Sequence, residues 1–287
     1  MTTLTMKKLL WTLSVIALAS CGGDDDNAVT PQPEKPRMLT VVVNENPLQD
    51  ENASAREGLT RTAAATTTAS LNHFFLNYEN NPQEFKKGGS TWDKGTWPPV
   101  GDNEHITFYA NDGGTFNWVS GDPYVSFTMD EDAFKQKDLL VAQTTTAYND
   151  HGGQVYLTFD HACAAVQFNV YQEETATTYV VKNIKLKNVK NTGDYHYKTK
   201  SWNINSGTTF YTLTDTTSDG MDITLDKQLL PCGWLFVIPQ DKSGLTLEVT
   251  YTKNGGSETT KNLSLSSGTW QAGKKYTVNI RIGNAAS

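Results

Sequence analysis

The sequence predicts an all-β protein built of antiparallel β-sandwiches, two of them in tandem. Three observations carry this. Runs rich in β-branched and aromatic residues recur roughly every ten residues past Leu71, each bounded by Gly, Pro, Asn or Asp. Several runs alternate apolar and polar residues, which gives each strand one buried and one wet face, as antiparallel sheets require. At 287 residues the chain is about twice a common domain length, so two domains are expected. Its 22 glycines, 10 prolines and many threonines exclude a coiled coil, a helical bundle and a disordered chain. A net charge of −7 without a Lys/Arg cluster argues against nucleic acid as a partner.

Residues 1–20 read as an export signal. Lys7 and Lys8 form a basic start, Leu9 to Ala19 an apolar run, and Leu18-Ala19-Ser20-Cys21 a small-residue cleavage site that resembles a bacterial lipobox. The apolar run is too short to span a hydrocarbon core of about 30 Å. In lipoproteins of this pattern the new terminal cysteine is acylated, here Cys21, and removal of residues 1–20 takes two positive charges with it. Residues 21–37 read as a tether. Asp24-Asp25-Asp26 keeps its start solvated, as a plain linker or as the acidic export tag of some surface lipoproteins, and Pro31, Pro33 and Pro36 prevent helix or ladder.

Folding is expected to begin near Met38, with Leu39 to Val43 as the first strand. From Asn44 to Ser70 no apolar period is found. That long loop holds Arg56 and Arg61 in small, polar surroundings open to a protease. Strands are then expected at His105–Ala110, Tyr124–Met129 and Asp138–Ala142. The cleanest alternation puts Val155, Leu157 and Phe159 on one face of a strand; Leu245, Leu247, Val249 and Tyr251, and Tyr276, Val278, Ile280 and Ile282, repeat it. The Gly152-Gly153 pair after Asn149-Asp150 is the expected boundary, giving an N-terminal domain over 38–152 and a C-terminal domain over 153–287.

Motifs for chemistry are mostly decoys. Gly268 to Lys275 nearly fits a phosphate-binding loop, but Lys275 stands where Ser or Thr is required and a strand pattern follows where a helix must begin. His73, His105, His151, His161 and His196 form no His-x-x-x-His pair, and Asp130-Glu131-Asp132 lacks the spacing of a calcium loop. No metal, cofactor or catalytic set is expected, so the chain is read as not an enzyme. Cys163 and Cys232 have a disulfide open to them in an oxidising space, although their apolar strand surroundings favour free thiols. Trp92, Trp97 and Trp118 suit either sugar stacking or packing, and packing is favoured.

Three blocks resemble the fimbrillin lipoproteins (Mfa-like, type V pilins) that build surface fimbriae of Gram-negative anaerobes. They are Trp97-Pro98-Pro99 with Ile106 to Ala110, then Asp138 to Ala142 with Gly153 to Ala162 and Val166 to Val170, and the ending Gly268 to Thr277. The resemblance implies transthyretin-like sandwich domains, an outer-membrane lipid anchor exposed at the surface, and assembly into a fimbrium. In polymerising relatives a protease cuts after an arginine beyond the first strand, and a neighbour's donor strand fills the groove that opens. The matching pieces here are Met38 to Asn44, with Leu39, Val41 and Val43 as the displaced strand, and Arg61 or Arg56 as the cut site. Only Gly283 to Ser287 follow the last strand pattern, so a donor strand is expected from the terminal strands themselves or not at all. Stalk, anchor and tip roles stay open. The partners implied are other fimbrial subunits, outer-membrane lipid, and ligands on host or bacterial surfaces. The alternative is a lipid-anchored binding module for glycans or host ligands that does not polymerise.

Overall fold

The computed structural model describes residues 36–51, 71–215 and 219–283, which hold 21 strands and one helical turn. In chain order the first half holds β1 (Met38–Glu45), β2 (Gln49–Asp50), β3 (His73–Tyr78), β4 (Asn81–Gly88), β5 (Thr91–Trp92), β6 (Gly95–Thr96), β7 (Ile106–Asp112), β8 (Thr115–Asn117), β9 (Tyr124–Thr128), β10 (Leu140–Thr146) and α1 (Tyr148–His151). The second half holds β11 (Gln154–His161), β12 (Ala164–Gln172), β13 (Tyr179–Val189), β14 (Thr192–His196), β15 (Ser201–Ile204), β16 (Thr209–Thr212), β17 (Met221–Ile223), β18 (Gln228–Val237), β19 (Thr246–Lys253), β20 (Thr259–Ser264) and β21 (Lys274–Ile282). The all-β sandwich class is as the alternation predicts. Val155, Leu157 and Phe159 are fully buried, and so, nearly, are Leu245, Leu247 and Val249.

Two apolar cores form. The first lies inside one sheet of order β5-β4-β3-β7-β10-β11-β1-β6. Strands β3 and β11 are not neighbours in it, yet the rings of Phe74 and Phe159 meet at 5.2 Å, so the sheet rolls over its own core. The Gln83 side chain on β4 closes the roll. Its amide donates to Thr96 O and accepts from Thr96 N–H, both at 2.8 Å, and so joins β4 to β6 at the opposite end of the sheet. The second core lies between the sheets β18-β12-β21-β2 and β16-β13-β19-β20, with Phe168, Leu186, Tyr211 and Trp270 fully buried.

Two expectations need correction. Not every pair is antiparallel: β1 with β11, β12 with β21 and β2 with β21 run parallel. Alternation fixes which face is buried and is silent on direction, and each of these pairs joins strands far apart in sequence. The turn at Asn149–Gly153 does not separate two sheets. It connects β10 to β11, which are neighbours in the first sheet, and the second core already takes Val125, Met129, Leu139 and Val141 from ahead of the turn. The halves also interleave, because β8 and β9 pair with β14 and β15 in a sheet of order β15-β14-β9-β8. Tyr197 ties that sheet to the first one by donating to Ala110 O at 2.8 Å. A tight glycine turn marks a reversal of direction, which serves a hairpin-like link as readily as a domain border.

Candidate functional site: the first strand and its groove

Strand β1 forms because a β-branched run, Thr40 to Val43, follows the helix-breaking Pro36 and alternates Leu39, Val41 and Val43 inward. Leu39 is fully buried, and Val41 and Val43 are partly buried against the same cluster as Phe74 and Phe159. Burying a leucine in this way contributes about 1.5 to 3 kcal/mol. On one side β1 pairs with β11 from Thr40↔Gln154 to Glu45↔Phe159. On its other side it pairs only at Met38↔Thr96 and Leu39↔Gly95. The strand is therefore an inserted edge piece, held along one flank and clipped at one end of the other.

Polar contacts clamp both ends. At the start, the Arg37 guanidinium donates to Pro98 O at 2.9 Å and to Val100 O at 2.6 Å, pairs with Asp102, and lies 5.5 Å over the Tyr148 ring. Arg37 thus belongs to the fold and not to the expected tether. At the far end, Asn46 N–H donates to Phe159 O at 2.9 Å, and Asn46 Nδ2 donates to Asp160 Oδ1 at 2.7 Å. Between them, Thr40 N–H donates to Gly153 O at 3.0 Å.

The chain does not go slack after β1. Leu48 is buried, and β2 lies along the outer edge of β21, with Gln49 N–H donating to Gly273 O at 2.8 Å and Glu51 N–H to Lys275 O at 3.1 Å. Residues 44–51 of the expected loop are thus held against the two sheets, and its remainder lies outside the described residues. One continuous segment, 38–51, covers an edge of the first sheet and an edge of the second. Two residues of strand are too few to show a period, and so β2 had no sequence signal beyond Leu48 standing alone among polar residues. Cys21, Arg56 and Arg61 lie outside the described residues.

Other sequence candidates fall into packing. Trp97 is 3% exposed with its ring against Phe108 and Tyr148, Trp92 packs on Phe74, and Trp118 lies beside Tyr109. Cys163 is buried and Cys232 half-buried, both as free thiols, and burial pushes the Cys232 thiol up to about 11. Asp130 and Asp132 accept from the backbone N–H of Asp132 and Phe134 in local turns. Among the described residues no three His, Cys, Asp or Glu side chains converge as a metal site. An open cleft of about 720 Å³ is lined by Asn46, Tyr109, Gln143, Asp160, Tyr197 and Lys200. Tyr197 there is 3% exposed, so its ring offers no stacking face.

The profile of the fimbrillin-like family matches residues 51–287, and the chain belongs to that family. Among solved structures it is similar to a fimbrial protein from Bacteroides vulgatus, at 16% identity and a TM-score of 0.54, covering 86% of this chain and 95% of that one. A candidate cell adhesion protein from Parabacteroides distasonis has a TM-score of 0.55 at 10% identity, covering 86% and 89%. Another from Bacteroides eggerthii has a TM-score of 0.52 at 14% identity, covering 87% of each chain. At these identities the likeness concerns the fold. No curated protein matches the sequence.

Proposed function

We propose that this chain is a structural or adhesive subunit of a cell-surface fimbrium, exported as a lipoprotein and assembled when its first strand is removed and replaced by a strand of a neighbouring subunit. Family membership and the fimbrial relative support the role. The observation that carries the mechanism is the position of β1, which fills the first core with Leu39 while pairing fully on one flank only. Its loss would bare an apolar slot and unpaired backbone groups along β11, and a foreign strand can satisfy both. A cut at Arg56 or Arg61 would turn segment 38–51 from an intramolecular element into a dissociable ligand, replaceable by mass action.

Limited trypsin treatment followed by size-exclusion chromatography tests the mechanism. Ladders of higher oligomers should appear after the cut and disappear when Arg56 and Arg61 are both changed to Ala. A cut but persistently monomeric product would instead favour an anchor, a tip or a non-polymerising binding module. The anchor is tested separately. Changing Cys21→Ala should move the protein out of the membrane fraction and remove the acyl mass, and an unchanged fraction and mass would refute acylation at Cys21.

A further inference from the structure

The inward series of β1 does not end at Val43. Side chains two apart share a face, so Glu45 follows Leu39, Val41 and Val43 toward the interior. There it meets His161, the last residue of β11, whose side chain is 2% exposed. His161 Nδ1 lies 2.5 Å from Asp138 Oδ2, and Nε2 lies 3.5 Å from Glu45 Oε1, an ion-pair distance too long for a full hydrogen bond. Asp138 is fixed in turn, accepting from Cys163 N–H at 3.1 Å.

The two carboxylates that face the ring differ in allegiance. Asp138, just before β10, stays with the body of the protein, whereas Glu45 belongs to the strand that leaves under the reading above. Neighbouring Asp160 is engaged by Asn46 and Lys200. Without Glu45, the Nε2 side of a buried ring would face a groove whose other requirements are apolar. Such a group is costly to leave uncompensated.

We propose that the groove selects its strand by charge as well as by shape: the strand that replaces β1 is one that presents three apolar side chains and then a carboxylate at alternate positions, the acid opposite His161. This rests on the strand-replacement reading and adds the partner's chemistry to it. Strand β21 of a second copy presents Tyr276, Val278, Ile280 and Ile282, with no acid in series, and is a poor fit. The favoured partner is therefore a strand of different composition. Burial works against charge on His161, but Asp138, supported by Glu45, outweighs it and raises its pKa above the ordinary value of 6.5. The pairing is thus complete below pH 6.5 and weakens as the pH rises through the raised pKa.

Two measurements test this. In the intact chain, Glu45→Gln should lower the pKa of His161 followed by NMR and speed hydrogen exchange of the β1 amides by roughly tenfold, the order expected for loss of a partly buried ion pair. In the trypsin-cut protein, a labelled peptide of sequence Met38–Glu45 should be captured at least about tenfold better than its Glu45→Gln or Glu45→Lys forms or a Lys274–Ile282 peptide. Unchanged His161 titration and β1 exchange in Glu45→Gln, or equal capture of all four peptides, would overturn the charge selection. Failure of every peptide to be captured, with the intact-chain effects present, would count against strand replacement while leaving the Glu45–His161 coupling in place.

Discussion

Leu39→Asp is expected to detach the first strand without any proteolytic cut. Leu39 is fully buried beside Phe74, Phe85 and Phe159 in the first core. Truncating such a leucine costs about 2 to 5 kcal/mol, and placing a carboxylate there adds the penalty of a buried, unpartnered charge. Because β1 is bonded fully on one side only, opening of this segment is a less costly response than unfolding the whole sheet. Hydrogen exchange should show β1 amides losing protection while those of β19 keep theirs. The control is Val42→Asp. Val42 pairs with Tyr156, which is 46% exposed on the outer face, so an acid there should change little. Equal loss of β1 protection in both variants would refute the assigned orientation of the strand.

Gly153→Ala should weaken the same strand from the other side. Gly153 has φ +82°, and a Cβ there would lie 2.4 Å from Met38 O and 2.6 Å from Tyr148 Cε2. The backbone oxygen cannot move away without shifting the start of β1, whose Thr40 N–H bonds to Gly153 O. Left-handed backbone strain of roughly 1 to 2 kcal/mol adds to this collision. Neighbouring Gly152 has φ +61° with open space around it, so Gly152→Ala carries the strain alone. The expected result is a lower Tm for both variants, a clearly larger drop for Gly153→Ala, and faster exchange near Met38 to Val42 only in that variant. A pair of equal drops would show that β1 does not depend on this close approach.

The strands whose alternation is strong were legible in the sequence. Those containing Leu157, Leu247 and Ile280 bury the side chains their period demands, because burial on one face leaves a direct trace in composition. Direction left no such trace, and the parallel pairing of β1 with β11 could not be read from either strand. The glycine turn before β11 was visible, but its place within one sheet depends on pairings between distant residues. At the site, Leu39, Val41 and Val43 were legible as an apolar series. The clamps were not, because Arg37, Glu45, Asp138 and His161 each look like ordinary surface residues until the fold brings them together. Glu45 did carry a signal: an acid in step with a core-facing series needs a buried partner.

The parallel pairing of β1 and β11 also decides how the molecule bears a pull. Tension arriving from the N-terminal side enters at Arg37, at the head of β1, while the rest of the chain leaves from the tail of β11 into β12. In a parallel pair these two points lie at opposite ends, so the load runs along the strands and shears the whole register at once instead of peeling one bond after another. The rate of giving way then depends on a barrier that all the pairs share. An intact first strand is therefore a strong mechanical joint between whatever holds the N-terminus and the body of the protein. A cut anywhere after Glu51 leaves the joint between the two pieces with only these noncovalent contacts to resist the pull.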